Sequence, residues 1–114
     1  MKKIWMFLII IMITGFASTV SGNGKAMPVI IDVRTNMEYA MGHLEGAINI
    51  PYDEIGRKIG SFVQDKSQKI YVYCRTGRRS KIAKESLEKF GYNNVVDLGT
   101  LKDAANSLSS KIVQ

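Results

Sequence analysis

The chain has 114 residues, which is room for one domain around one hydrophobic core. Its net charge of +6 is dispersed, with neither the concentrated basic face nor the aromatic platforms of a nucleic-acid binder. A single cysteine and a single histidine exclude an internal disulfide and a zinc site of the usual composition, so no metal is expected.

The first two dozen residues read as an export signal rather than as part of a fold. Lys2 and Lys3 are followed by an unbroken apolar run from Ile4 to Ile13 and then by mostly small residues to Gly22. Basic start, short apolar middle and small-residue end are the three parts of a secretory signal peptide. The run is shorter than the ~20 residues that a spanning helix requires, which favours cleavage over a retained membrane anchor. Segment 1–22 is therefore expected to be a signal peptide cut after Ala17, Ser21 or Gly22, with 23–27 a short leader and 28–114 the folded domain. Removal of Lys2 and Lys3 takes the net charge from +6 to +4. The expected location is outside the cytoplasm, in the periplasm, with membrane contact only through the signal segment if it stays uncut.

From Pro28 onward, short apolar runs alternate with helical stretches. Val29 to Val33 is β-branched and apolar on both faces, as in a strand of a covered parallel sheet. Thr35-Asn36-Met37-Glu38 has the capping-box pattern and predicts a short helix to about Met41, stopped at Gly42. Ala47 to Ile50 predicts a second strand, closed by Pro51. Asp53 or a neighbour caps a helix expected to turn Ile55, Ile59, Phe62 and Val63 inward. Lys69 to Tyr73 predicts a third strand, with Cys74 the first residue beyond it. Ser80 to Phe90 is the strongest helix, with Ile82, Ala83, Leu87 and Phe90 on its apolar stripe and Gly91 ending it. Val95 to Leu98 predicts a fourth strand, and Leu101 to about Leu108 a last helix. This alternation implies an α/β domain: a central parallel sheet with helices on both faces and ligands at the carboxyl ends of its strands.

The residues that carry chemistry lie in one loop, Cys74-Arg75-Thr76-Gly77-Arg78-Arg79-Ser80. A lone thiol in an exported protein, placed at a strand end, can face a pocket. Gly77 permits a curl in which successive N–H groups point inward as an anion-binding concavity, and the helix that follows adds its free N–H groups. A free thiol of pKa ~8.5 is only about 3% thiolate at pH 7. One arginine at roughly 7 Å, at an effective dielectric near 20, favours the thiolate by about 2 kcal/mol. Two arginines and a helix terminus thus predict a nucleophilic thiolate beside a docking site for an anion. Cysteine phosphatases place an arginine six residues after the nucleophile. Here that position is Ser80, and the shorter loop is better matched to a terminal sulfur than to a phosphate ester.

The chain resembles the rhodanese family, in particular its small exported members. Ile31-Asp32-Val33-Arg34, Glu38-Tyr39, Gly42-His43-Leu44-Glu45-Gly46-Ala47 and Asn49-Ile50-Pro51 are similar to the family's first signature. Tyr73 to Ser80 is similar to its active loop, and Leu98-Gly99 with Leu101 and Asp103 to its closing segment. The resemblance implies a rhodanese-like fold and a ping-pong sulfur transfer in which Cys74 attacks the outer sulfur of thiosulfate, releases sulfite and holds a persulfide. Cyanide or a thiol would then accept the sulfur; a persulfide carrier without significant thiosulfate turnover stands as the alternative. The backbone N–H groups from Arg75 to Arg79 would cradle the persulfide, and Arg75, Arg78 or Arg79 would attract the donor. Thr76 and Ser80 could donate to its oxygens, though Ser80 could instead cap its helix. No organic cofactor is implied. Blander roles are expected for His43, in a turn between helix and strand, for Asp32 and Arg34 as a buried pair, and for Glu38 as the capping partner of Thr35.

Overall fold

A computed structural model describes residues 27–114; the expected signal segment and most of the leader lie outside the described residues. Four strands form a parallel sheet in the order β3-β1-β4-β5: β1 (Val29–Asp32), β3 (Ile48–Asn49), β4 (Ile70–Cys74) and β5 (Val95–Thr100). Helices α1 (Asn36–Met41), α2 (Ile55–Lys58, continued by a 3-10 turn over Ile59–Ser61), α3 (Arg78–Lys89) and α4 (Leu101–Leu108) connect them. Two short strands outside the sequence expectation, β2 (His43–Leu44) and β6 (Ile112–Val113), pair antiparallel as a separate ribbon.

The alternation of side chains along each strand divides the core in two. Ile31, Ile70, Val72 and Cys74 face one side, against Ile55 and Ile59 of the α2 segment and Ala83 and Leu87 of α3. Tyr73 and Ile30 face the other, with Leu44, Ala47, Tyr39 of α1 and Ala104 of α4. Helices therefore cover both faces of the sheet. Direction of side chain at the end of β4 follows from this count: Cys74, two residues after Val72, points toward α3.

Several local expectations are corrected. Cys74 is the last residue of β4 rather than the first beyond it, and pairs in register with Thr100. Between Val72 and Cys74 the opposite strand advances from Asp97 to Thr100, an extra residue taken up as a bulge at Leu98-Gly99. Gly99, at φ 81°, adopts the left-handed conformation this needs, and its N–H donates to Asp97 Oδ1 at 2.9 Å. Helix α3 starts at Arg78, two residues before the expected Ser80, and Phe90 lies past its end and exposed. Phe90 instead lays its ring over Gly56, where a Cβ would meet it at 2.5 Å. Phe62 is likewise exposed, because the 3-10 turn changes the angular step after Ile59 and carries Phe62 off the inward face. At the start of α2 the capping position falls to Glu54, with no side-chain cap from Asp53 or Glu54. The capping box of Thr35 and Glu38 forms as expected.

Candidate active site

Cys74 enters the loop from a strand whose alternation aims its sulfur at the first turn of α3. Gly77, at φ 93°, holds the helix N-cap position in the left-handed region, and this curl turns its own N–H back onto Cys74 Sγ at 3.0 Å. A β-carbon at Gly77 would meet no atom within 4 Å, so backbone conformation rather than space calls for glycine there. Ser80 is not the cap; it occupies the third position of α3, fully buried, with Oγ 3.4 Å from Sγ. As a neutral thiol Cys74 donates to Ser80 Oγ, which donates to the Gly77 carbonyl at 3.1 Å. For a thiolate the hydroxyl proton can rotate onto sulfur instead.

Burial pushes the Cys74 thiol up, but hydrogen bonds from the Ser80 hydroxyl and from the backbone N–H groups of Ser80, Gly77 and Thr76 outweigh it. The net result is a thiol held below its ordinary value. Of the expected sources, the N–H groups of the loop and helix terminus act on the sulfur directly, while Arg75 and Arg78 are exposed, where their charge is screened.

Arg79 is engaged elsewhere. Its guanidinium grips Glu38 with two bonds, Nη1 to Oε1 at 2.8 Å and Nη2 to Oε2 at 3.1 Å. This pair holds the Glu38 carboxyl at about 2, well below the usual range, with the Thr35 backbone and hydroxyl adding to the effect. Arg79 is raised chiefly by Glu38, with a smaller contribution from the charge of Cys74, so it stands close enough to feel the sulfur. Glu38 thus has a second role beside capping α1: it ties α1 to the first turn of α3. The two residues are 41 positions apart, and no local pattern announces the contact.

Asp32 and Arg34 form the expected buried pair: Arg34 Nε and Nη2 bond the carboxylate, and Nη2 also donates to the Gly42 carbonyl at 2.6 Å. Tyr73 completes the cluster, its hydroxyl donating to Asp32 Oδ2 at 2.9 Å and accepting from Leu44 N at 3.0 Å. Burial, with the neighbouring Asp32 charge, keeps this phenol neutral by pushing its pKa far up. His43 stacks on Tyr39 with ring centroids 3.6 Å apart, and its Nδ1 lies 2.7 Å from the Tyr39 carbonyl. Its ring is spent on packing, and it sits in β2 rather than in a turn.

A buried, anion-stabilised sulfur under a curl of backbone donors can act as a nucleophile and then hold a negatively charged product on itself. The position six residues after the cysteine is filled by the buried Ser80 hydroxyl, in contact with sulfur, which leaves no place there for a guanidinium.

A family model for the rhodanese-like domain matches residues 18–100. The thiosulfate sulfurtransferase PspE of Escherichia coli (strain K12) is 47% identical over 75 residues, covering 66% of this chain and 72% of that protein. An adenylyltransferase and sulfurtransferase of Candida albicans (strain SC5314 / ATCC MYA-2876) is 38% identical over 95 residues. That match takes in 77% of this chain but 22% of the longer protein, about a fifth of its length. Among solved structures, a rhodanese with anions from E. coli superposes with a TM-score of 0.70 at 40% identity, covering 77% of this chain and 99% of that one.

Proposed function

The chain belongs to the rhodanese-like domain family, and from that premise we propose that it is an exported thiosulfate sulfurtransferase working through a persulfide on Cys74. The observation that carries this reading is the convergence of Gly77 N–H and the Ser80 hydroxyl on Cys74 Sγ. In the first half-reaction the Cys74 thiolate attacks the outer sulfur of thiosulfate. A sulfur–sulfur bond forms to Sγ, the bond to the sulfonate sulfur breaks, and its electron pair leaves with sulfite. The persulfide anion that remains lies under the same donors that stabilised the thiolate. In the second half-reaction cyanide or a thiolate takes the outer sulfur and returns the electron pair to Sγ. Both steps balance without an oxidant, a reductant, a metal or an organic cofactor.

Arg75 and Arg78, exposed at the mouth of the loop, suit the attraction of a dianionic donor; Arg79, held by Glu38, suits shaping of the first helical turn. Thr76 contributes its N–H to the cradle. Cys74 has 0% exposure, so its sulfur is out of contact with water in this conformation. Export rests on the sequence of segment 1–22; among the described residues no helix is long and apolar enough to cross a membrane.

One measurement tests both the chemistry and the export. Protein recovered from the cell envelope and weighed intact should lack an N-terminal segment ending between residues 17 and 22. Incubated with thiosulfate it should gain the mass of one sulfur atom, which cyanide removes, and Cys74→Ser should fold yet gain none. Loading without steady-state turnover would make it a sulfur carrier. Transfer of sulfur by Cys74→Ser would refute the mechanism, and a full-length, membrane-fixed species would refute cleavage.

A further inference from the structure

The sheet is parallel, so the domain has two poles, and the cysteine loop occupies only one of them. At the other lie the amino ends of β1, β4 and β5, the last turn of α3, and the stretch 62–69 that leads from the α2 segment into β4. Hydrogen bonds tie these pieces together: Tyr92 Oη to the Val63 carbonyl, Lys66 Nζ to the Phe90 carbonyl, and Gln68 Nε2 to the Met27 carbonyl. Cys74 stands at the far end of β4 from Ile70, about 13 Å away at the rise of a strand.

Two rings project from this amino pole. Phe62 and Phe90 are 52% and 54% exposed, and among the described residues no other aromatic side chain is exposed. Phe90 lies against Gly56 of α2, which places its ring beside Arg57. Arg57, Lys66, Lys69 and Lys89 are all exposed at this pole, against two carboxylates, Asp65 and Glu88. Of these, Asp65 is turned onto its own chain, accepting from the N–H and hydroxyl of Ser67. Lys58 adds nothing to the excess, because Glu54 pairs with it.

We infer that the amino pole docks on a bilayer bearing anionic headgroups. Half-exposed phenylalanines set among basic side chains suit the boundary between acyl chains and headgroups, where rings leave water and cations meet phosphates. The place of attachment agrees. Met27, at this same pole, is where segment 1–26 joins the domain, and that segment carries the apolar run Ile4–Ile13. A second copy of the chain fits the pole less well, since its excess of positive charge would face itself. Docked in this way, the domain turns the cysteine loop away from the bilayer, toward donors dissolved in water. The inference uses none of the sulfur chemistry and rests on the export reading only for bringing the chain to a membrane.

The test places the full-length protein in lipid nanodiscs of equal parts phosphatidylcholine and phosphatidylglycerol, with a spin label on some headgroups. The backbone amide resonances of Phe62, Lys66 and Phe90 should lose intensity, while those of Arg75 to Ser80 keep theirs. A tether without a docking surface would broaden both poles alike, and that result, or no broadening at either, would overturn the inference. The contrast should disappear in nanodiscs of phosphatidylcholine alone and at high salt, because each basic residue near an anionic surface strengthens binding about fivefold. It should disappear equally in the double variant Arg57→Glu with Lys89→Glu, whose spectrum without lipid should overlay that of the wild type away from the two changes. A contrast that survives both the neutral lipid and the charge reversal would show that the cations play no part, and would overturn the anionic surface as the partner.

Discussion

At the scale of single residues the site depends on how a buried sulfur is made acidic. Transfer of a thiolate out of water is unfavourable, and three backbone N–H groups and one hydroxyl reverse the balance at Cys74. Of these only Ser80 can be changed without touching the backbone. Its removal takes one hydrogen bond from the charged form and none from the fold's ladders. Ser80→Ala should therefore move the acid limb of the pH profile of kcat/KM toward alkaline pH, with activity recovered at high pH. At neutral pH the loss should be about tenfold, the size expected for one hydrogen bond to a charged group. Arg75→Ala should leave that limb nearly in place and raise KM for thiosulfate, an effect that added salt mimics because exposed charges are screened over about 10 Å at 0.1 M. A limb unmoved in Ser80→Ala, and moved in Arg75→Ala, would return control of the thiolate to the arginines.

At the scale of elements the loop is fixed from two sides. Gly77 ends β4's excursion with a left-handed turn and starts α3, while the Glu38–Arg79 pair clamps the first turn of α3 to α1. Because Glu38 is lowered to about 2 in the folded protein, its ionised form contributes stability that is fully present above the ordinary value of 4.5. That contribution is lost as pH falls through 4.5 toward 2. Glu38→Gln should therefore unfold more easily in urea at neutral pH, by at most about 1 kcal/mol for a pair that is partly solvated. The difference from wild type should shrink to nothing in strong acid. A difference independent of pH would mean that the carboxylate acts through packing and not through charge.

At the scale of the molecule one hydroxyl joins the two sheets. Tyr73 lies in the middle of the parallel sheet, yet its oxygen reaches both Asp32 at the end of β1 and the backbone of Leu44 in the β2–β6 ribbon. Tyr73→Phe keeps the ring and strands a buried N–H and one carboxylate lone pair. An unsatisfied buried pair of this kind destabilises by about 2–3 kcal/mol. The urea midpoint should fall while the slope stays unchanged, since the same surface is exposed on unfolding. A broadened or two-step transition would show instead that the ribbon unfolds apart from the sheet.

The sequence alone determined the alternation of the four sheet strands with the helices between them, and it singled out Cys74 as the candidate nucleophile. These depend on local signals: β-branched runs, the capping box at Thr35, the stripe on α3, and the only thiol leading into a glycine turn. Tertiary structure decided the rest. Strand pairing lets Cys74 and Thr100 close the ends of their strands beyond where the apolar pattern stops, at Tyr73 and Leu98. The ribbon of β2 and β6 joins segments about seventy residues apart, each too short to carry a periodicity of its own. The engagement of Arg79 by Glu38 and the meeting of Arg34 and Lys102 at one cleft likewise depend on where distant side chains end. So does the weight given to the arginines. A sequence shows that charge is near the sulfur along the chain, but the pKa of a thiol answers to dipoles within about 3.5 Å and to whether each charge is in water or out of it. Distance and solvent are properties of the fold.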